Sequence, residues 1–457
     1  MVKQRWLKIG LFLSGCGLGL STDAYAADIA LTVGRFFGPC TDADPKIEQA
    51  NGEACIIQAI FNTFSDQDNA INIDMQPANW DRYYEQLEEN YDKGTPPDVH
   101  ILHRHRLPDF FEAKVLAPLG DDLVKAGIDI ADWEPHALNA VTIDDVIFGV
   151  PFDMHANLWH INLALLSKAG LVGDDGRPIL PQSPGEMLDH AKRVKEATGK
   201  AYLAADFTQF PIGVRAVLSL LWQQGQNIHN GLEVTIDTPE MRAALTTMTD
   251  LFDAGYADPS HDYEHAQEAF LNDQVAILIN GTWAVEFYDR EASKAEVTLT
   301  DYDVANFPTL FDQPATWADS HLWVIPADLK ERVPEKYEAA LKLLAWINDH
   351  NLDWARTGHL ATRTSVLESQ AYETLPHRLD YKLSATITHD IPPSTAYNDV
   401  QDVLTRNLQS IWRGKKSLDK ALADAEIEVE SKAAFPMSVS QPIQTVDKTE
   451  DQPFRSP

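Results

Sequence analysis

Short apolar runs and helically spaced apolar residues alternate along the first hundred positions of the chain. Ile29 to Val33, Ile71 to Met75 and Asp98 to Leu102 show the short runs that are typical of buried strands. Between them, Cys55 to Phe64 and Trp80 to Tyr91 place apolar residues on one face of a helix. This order of strands and helices predicts a parallel sheet covered by helices.

The residues that follow these strands are basic and aromatic. In parallel sheets of this kind, ligands bind beyond the carboxyl ends of the strands. The loops after the first and third predicted strands therefore offer hydrogen-bond donors and flat rings to a ligand, through Arg35, Phe36 and Phe37 and through His103, Arg104 and His105.

The segment from Gly149 to Asn162 predicts a buried strand that carries a polar row. Asp153, His155 and Asn157 occupy every second position, so they share one face of the strand. A polar row inside a protein must be satisfied by neighbouring groups or by a ligand in a cleft. The segment alone leaves both alternatives open.

The pattern continues to the end of the chain as further strands and helices. Val275 to Ile279 and His321 to Ile325 predict buried strands, and Trp283 follows the carboxyl end of the first of these, where a ring can face a cleft. Trp222 lies on an apolar helix face, where a core position and a ligand contact are both open. The predicted helices are Leu163 to Gly170, Ser183 to Thr198, Val214 to Trp222, a helix from Pro334 to Ile347, Val400 to Trp412 and Ser417 to Glu430.

The first 26 residues have the pattern of an export signal, with a basic start, an apolar run and a small-x-small cleavage site. Leu13 to Cys16 also resembles the lipobox of bacterial lipoproteins, so a lipid anchor on Cys16 is the alternative to a free periplasmic protein. Removal of the signal leaves Cys40 and Cys55, and an even pair in an exported chain predicts a disulfide.

Composition and charge narrow the classes of partner. A chain of 457 residues with 44% hydrophobic and 23% charged residues is globular and long enough for about two domains. Its formal charge of -32 would repel nucleic acid, so we expect no nucleic-acid partner. Residues 436–457 lack hydrophobic periodicity, which predicts a disordered tail.

Motifs of common enzymes are absent from the sequence: it has no G-x-S-x-G, no Walker loop, no G-x-G-x-x-G after a strand and no H-E-x-x-H. His103 and His105 have no evident third ligand nearby, and the glycine between Cys40 and Cys55 does not suit a calcium loop, so we expect no metal and no cofactor.

Aromatic faces with Asp, Asn, His and Arg suit a polyhydroxylated ligand. An exported carbohydrate-active enzyme is the alternative, because paired carboxylates leave no pattern among 69 acidic residues. A structural protein without a ligand is a third possibility.

A succession of short motifs resembles the extracellular solute-binding proteins of bacterial ABC sugar importers, the group that includes maltose-binding protein. The resemblance covers nearly all of Asp28 to Glu430 in matching order. Its motifs are Pro97-Asp98-Val99, Leu116-Ala117-Pro118-Leu119, the segment ending at Asn162, Ala169-Gly170-Leu171, Ala269-Phe270-Leu271-Asn272, Asn280-Gly281-Thr282-Trp283-Ala284, Gly358-His359-Leu360 and Gly414-Lys415-Lys416-Ser417 with Ala421-Leu422.

The resemblance implies an α/β fold of two lobes, each a mainly parallel sheet flanked by helices, joined by hinge crossings and closing on the ligand. The first lobe would comprise residues 27–156 and 315–360, and the second lobe residues 157–314 and 361–435. It also implies a monomeric periplasmic receptor that binds a mono- or oligosaccharide or a derivative and delivers it to the permease subunits of an ABC transporter.

The resemblance also implies which residues face the ligand: Arg35, His103, His105, His155, Trp283, Trp222, Asp319 and Arg363. His105 and His155 stand where the maltose binder has carboxylates, so a sugar other than a maltodextrin is as plausible. Together with the strand ends and the polar row, the predicted ligand-binding residues are Arg35, Phe36, His103, Arg104, His105, Asp153, His155, Trp222, Trp283, Asp319, His321 and Arg363.

Overall fold

The computed structural model describes residues 29–68, 70–230, 233–392 and 394–432 of the chain. The predicted export signal, Cys16 and the predicted tail lie outside the described residues. Within the described ranges, no helix has both the length and the apolar character needed to cross a membrane.

The strands alternate with helices along most of the chain, as the hydrophobic pattern predicts. In chain order the strands are β1 (Ile29–Arg35), β2 (Ile71–Pro77), β3 (Val99–His103), β4 (Thr142–Ile143), β5 (Val146–Ile147), β6 (Val150–Asn162), β7 (Ala201–Ala204), β8 (His229–Asn230), β9 (Glu233–Val234), β10 (Val275–Gly281), β11 (Tyr302–Asn306), β12 (Thr316–Val324) and β13 (Thr388–His389).

The helices confirm the longer predicted segments to within a few residues. They are α1 (Gly52–Gln67), α2 (Tyr83–Asp92), α3 (Leu107–Glu112), α4 (Gly120–Lys125), α5 (Pro135–Ala140), α6 (Leu163–Lys168), α7 (Pro184–Thr198), α8 (Ile212–Trp222), α9 (Pro239–Asp253), α10 (Tyr263–Leu271), α11 (Val285–Ala292), α12 (Leu329–Arg332), α13 (Pro334–Asp349), α14 (Asn351–Ala355), α15 (Thr364–Leu367), α16 (Gln370–Glu373), α17 (Arg378–Tyr381), α18 (Tyr397–Trp412) and α19 (Leu418–Lys432). Short 3-10 turns include Arg104–Arg106 after β3 and Thr282–Ala284 after β10.

One continuous sheet runs in the order β2-β1-β3-β12-β6-β10-β7, with β11 paired to β6 and β13 to β12. β1 is parallel to β2 and β3, and β7 is parallel to β10, as the βαβ pattern predicts. β6 and β12 run antiparallel to each other, and they connect the two parallel parts. β12 begins at Thr316, five residues before the predicted strand. The prediction missed this start because the polar residues Asp319 and Ser320 interrupt the apolar pattern.

Two large hydrophobic clusters lie at the two ends of these crossing strands. The first contains Val150 and Phe152 of β6, and the second contains Trp159 and Ile161 of the same strand. All 13 residues of β6 are buried, because both of its ends pack into a core. This arrangement is the two-lobed architecture joined by crossings that the resemblance implies, whereas the boundaries of the lobes stay a prediction.

The end of β6 is set by one side chain. Asn162 Oδ1 accepts a hydrogen bond from the Leu165 amide at 3.1 Å, which caps α6, and its Nδ2 donates to Asp273 at 2.6 Å. A side-chain cap satisfies one of the amides that the first turn of a helix leaves unpaired. The crossing strand therefore ends, and α6 begins, at a defined residue.

The predicted disulfide between Cys40 and Cys55 is present and closes the loop before α1. Arg356 donates to the Ala50 carbonyl at 2.7 Å and also to the Ile47 carbonyl, so the same loop is tied to the end of α14. These bonds hold the first turn of α1, which carries Glu53, beside the crossing strands.

His377 joins three elements that follow β10. Its Nε2 lies 3.4 Å from Asp289 of α11, and its Nδ1 lies 3.5 Å from both Asp303 of β11 and Asp380 of α17. Burial by itself would lower the pKa of His377, but hydrogen bonds to the three carboxylates outweigh it and raise the pKa to about 11. The imidazolium therefore holds these elements together at neutral pH.

We predict that the stabilising effect of His377 depends on pH. Because its folded pKa lies above the unfolded value of about 6.5, the stabilisation is complete below that value and is lost as the pH rises toward the folded pKa. Hydrogen bonds to charged groups contribute roughly 1.5–3 kcal/mol, so His377→Gln should lower the free energy of unfolding by about that much at pH 6 and by less at pH 9. Urea unfolding at both pH values measures this, and an equal loss at both would contradict it.

Candidate functional site

The polar row of β6 lies beside polar residues of two neighbouring strands. The register pairs Asp153 with His321 and His155 with Asp319 on β12. β12 in turn pairs His321 with His103 at the end of β3. Side chains that are paired across strands project from the same face of the sheet. The register therefore assembles one polar face from residues that lie far apart in sequence.

Asp153 is the centre of this face. Its Oδ2 lies 2.8 Å from His321 Nδ1 and accepts from the Trp354 indole at 2.7 Å, and its Oδ1 lies 3.1 Å from His155 Nδ1. Burial alone would raise the pKa of Asp153, but the charge of His321 and the hydrogen bonds with His155 and His321 hold it well below the usual range. Asp153 is thus an ionised carboxylate surrounded by donors.

The histidines around Asp153 differ in their protonation. Burial lowers the pKa of His155, and it lowers that of His359 to about 3. Burial also holds the pKa of His103 well below the ordinary value, and the charge of His321 adds to this. Burial acts in the same direction on His321, but the adjacent Asp153 outweighs it and raises the pKa. The proton of the cluster therefore resides preferentially on His321.

Aromatic rings cover the polar face from two directions. Phe36, after β1, stacks on His103 with ring centroids 4.7 Å apart and planes within 10°. Trp283, after β10, meets the ring of His155 at 5.8 Å. A Cβ atom on Gly281 would lie 2.0 Å from the Trp283 ring, so the glycine allows this ring to lie over the end of β10. The fold therefore brings Phe36 and Trp283, the aromatic residues that follow β1 and β10, to the same polar face.

Asn157 is the third residue of the polar row, and its side chain is unpaired. It is completely buried, and neither Oδ1 nor Nδ2 has a hydrogen-bond partner among the described residues. Its neighbour across the sheet is Gly281, which has no side chain to offer. A buried amide without partners lowers the stability of the fold by roughly 1–3 kcal/mol. Such a cost needs an explanation, and a ligand that bonds to the amide provides one.

A second polar group adjoins the first through Asp319. His105 Nδ1 lies 2.6 Å from Asp319, and the His105 ring stacks on Tyr397 at 4.6 Å. Arg104 donates to Asp390 at 3.2 Å, and burial together with the charge of Asp319 raises the pKa of Asp390 to about 7. These contacts join the turn after β3 to the segment around α18.

Two of the predicted ligand-binding residues make their polar contacts away from the polar face. Trp222 stacks on His389 at 5.6 Å, and its indole donates to Asn227 at 3.4 Å inside the second hydrophobic cluster. Arg363 donates to Asp132 at 2.7 Å. Neither set of contacts includes the polar face, and a ligand role for either residue stays a prediction.

The sequence interpretation missed His359, Trp354 and Glu53. His359 follows Gly358, whose φ of 116° requires glycine, and a Cβ there would lie 2.0 Å from the Thr282 carbonyl. The motif Gly358-His359-Leu360 marks this place in the sequence, but its spacing does not show that the imidazole meets Asp153. Trp354 and Glu53 carry no local signal at all.

Arg35 is a buried cation without a carboxylate partner. The residue is fully buried, its Nη1 donates to the Gly38 carbonyl, and its Nε and Nη2 have no hydrogen-bond partner within the part of the chain that the structure describes. Burial lowers its pKa to about 10. An unpaired buried charge is costly to the fold, so its retention points to a role outside stability.

We therefore predict that Arg35→Met leaves the free energy of unfolding unchanged or raises it by about 1–3 kcal/mol, because it removes a buried charge and keeps an apolar side chain of similar length. The matched change Arg363→Met removes a partner of Asp132 and should be destabilising. Urea unfolding of both variants provides the comparison. A loss of more than about 1 kcal/mol for Arg35→Met would show that the guanidinium stabilises the fold.

The fold and the buried polar face between two lobes define a solute-binding protein. The chain belongs to the bacterial extracellular solute-binding protein family, whose model matches residues 59–379, and the predicted family is confirmed. A putative binding protein of Brucella abortus (strain 2308) is 21% identical over 444 residues, which cover 94% of this chain and 99% of the relative.

Solved structures show the same fold at low sequence identity. The GacH receptor of Streptomyces glaucescens, solved unliganded and in complex with acarbose, is 20% identical with a TM-score of 0.72 and covers 88% of this chain and 97% of its own. The maltose-bound MalE3 of T. maritima is 21% identical with a TM-score of 0.71 and covers 88% of this chain and 99% of its own.

Proposed function

We propose that this protein is an exported receptor that binds a sugar between its lobes and delivers it to an ABC transporter. The observation that carries the proposal is the polar face of β3, β6 and β12, which lies between Phe36 on one side and Trp283 on the other. Flat rings cover the apolar faces of a sugar, and buried polar groups bind its hydroxyls.

The polar groups of this face can accept hydrogen bonds from sugar hydroxyls and can donate hydrogen bonds to them. Asp153 and Asp319 are held ionised and accept hydrogen bonds, whereas the unpaired amide of Asn157 both donates and accepts. A sugar hydroxyl also donates and accepts, so one hydroxyl can satisfy a carboxylate and an amide together. Arg35 supplies further donors through Nε and Nη2, which have no hydrogen-bond partner among the described residues.

The proposed lobes touch each other across the cleft, as they would in a closed arrangement. Trp80 meets Phe210 with ring centroids 5.4 Å apart, and Arg104 pairs with Asp390. The two hydrophobic clusters follow the proposed division into residues 27–156 with 315–360 and residues 157–314 with 361–435, except that Ala315 and Trp317 at the start of β12 pack in the second cluster. A ligand reaches the polar face when the lobes separate by a hinge motion of β6 and β12.

The substrate class is supported by the proteins that share the fold. The GacH receptor and MalE3 bind acarbose and maltose respectively, and both ligands are carbohydrates. Histidines stand at positions 105 and 155, where the maltose binder has carboxylates, so a sugar other than a maltodextrin is as plausible a ligand. A mono- or oligosaccharide or a sugar derivative satisfies the same groups.

The place of action follows from the sequence of the exported chain. The signal at residues 1–26 directs the protein to the periplasm. There it acts as a monomer, and its partners are the carbohydrate and the permease subunits of the transporter. Mass spectrometry of the mature N-terminus distinguishes cleavage after Ala26 from lipidation of Cys16.

The proposal predicts that a carbohydrate raises the melting temperature of the purified protein. A ligand at a hundred times its Kd stabilises the folded state by about 2.7 kcal/mol, which corresponds to a shift of several degrees. The panel comprises monosaccharides, polyols, linear and cyclic oligosaccharides and glycosides, with amino acids as the control. A response to amino acids and to no carbohydrate would contradict the substrate class. Recovery of cleaved ligand would instead favour a carbohydrate-active enzyme.

We also predict that Trp283→Ala weakens binding of the responding sugar by roughly 1–3 kcal/mol, the effect of a lost buried aromatic contact. Trp283→Phe retains a ring and should preserve most of the affinity. Isothermal titration calorimetry measures both variants once circular dichroism has shown that they are folded. Wild-type affinity in folded Trp283→Ala would remove this residue from the site.

A further inference from the structure

Four residues of the polar face place potential metal ligands around one point. Asp153, His155, His321 and His359 each offer one atom, these atoms lie within 4.8 Å of one another, and all four residues are buried. Two come from β6, one from β12 and one from the loop after α14. We propose that these residues form a binding site for one divalent transition-metal ion of the zinc class.

The donor set has the composition of a zinc site. Three imidazole nitrogens and one carboxylate oxygen are ligands that Zn²⁺ takes in tetrahedral geometry at about 2.0–2.2 Å. Tetrahedral ligands at that distance lie about 3.3 Å apart, so the ligand atoms that now lie up to 4.8 Å apart must move closer together. Three of the four residues lie on the paired strands β6 and β12, so this movement would have to come from rotation about side-chain bonds.

His359 supplies an observation that hydrogen bonding inside the protein does not explain. Its Nε2 is buried and has no hydrogen-bond partner among the described residues, although it lies 3.9 Å from Asp153 Oδ2 and 3.6 Å from a carboxylate oxygen of Glu53. Its other nitrogen, Nδ1, lies 2.8 Å from the Thr357 hydroxyl, which fixes the ring. The ring therefore directs an unused nitrogen toward the centre of the cluster.

Neighbouring groups orient the other ligands and balance the charge. The Trp354 indole donates to Asp153 Oδ2 and holds the carboxylate in place, as outer-shell partners of metal ligands commonly do. Glu53 stands next to His359 as a second carboxylate. Burial raises the pKa of Glu53 to about 7, and a divalent ion nearby would favour its charged form.

The site lies on the first-lobe side of the proposed cleft. Residues 153, 155, 321 and 359 all belong to that side, and Trp283 approaches His155 from the other side. An ion can therefore bind with the lobes open or closed and would form the floor of the cleft. The inference goes beyond the proposed function, because it does not depend on the class of organic ligand.

The test uses untagged mature protein treated with EDTA and dialysed. Titration with Zn²⁺ in a calorimeter should show one ion bound per chain, and Co²⁺ should give the visible absorption of a tetrahedral site. His359→Gln and His321→Gln should each weaken binding by at least tenfold. His265→Gln is the control, because His265 is an exposed histidine paired with Asp262 on the surface.

Two results would overturn the proposal. One is that folded wild-type protein binds neither ion, and the other is that both variants bind as the wild type does. Loss of binding in His377→Gln instead would assign the ion to the group of Asp303, His377 and Asp380. Circular dichroism of each variant establishes that a loss of binding is not a loss of folding.

The carbohydrate panel, repeated on EDTA-treated and metal-loaded protein, separates this inference from the proposed function. Sugar binding without metal binding would overturn the metal site alone. Stoichiometric metal binding on these residues without any response to carbohydrates would overturn the proposed sugar ligand alone.

Discussion

The pairing of β6 with β12 is the constraint on which the rest of the structure depends. Both strands are buried along their whole length, so their polar side chains cannot be satisfied by bulk water. The register places His321 beside Asp153 and Asp319 beside His155, which lets the buried groups satisfy one another. A shift by one residue would turn the polar row into the opposite face and leave it unpaired. The ionised state of Asp153 and the proton on His321 follow from this register.

The same strands carry the connection between the lobes, so binding chemistry and hinge share one backbone. The two ends of each strand lie in different hydrophobic clusters, and the polar middle of the strand lies where the clusters meet. Separation of the lobes would bring water to this middle, and closure would replace the water with protein or ligand groups. A ligand that binds the closed arrangement more tightly than the open one shifts the population toward closure.

The local chemistry of the cleft differs from that of the whole chain. The protein carries a formal charge of -32, whereas the polar face gathers His103, His155, His321 and His359 around one central carboxylate. Arg35 adds a buried guanidinium, and two of its nitrogens have no hydrogen-bond partner in the described part of the chain. Net charge sets the long-range field and disfavours polyanionic partners, but the groups within a few ångströms of a ligand determine what binds. A site rich in neutral imidazole suits both hydroxyl groups and a transition-metal ion.

The sequence by itself determined the features that depend on short periodicities and ordered motifs. These are the order of strands and helices, the buried polar strand, the basic and aromatic strand ends, the disulfide and the family. The tertiary structure alone decided which polar residues meet. Asp153 contacts His321 and Trp354 across separations of 168 and 201 residues, and neither separation leaves a local pattern. The start of β12 at Thr316 was hidden for a related reason, because the buried carboxylate of Asp319 pairs with His105, which lies 214 residues away. Strand register is a property of pairs of segments, so the site on those strands could be outlined from the sequence but not assembled from it.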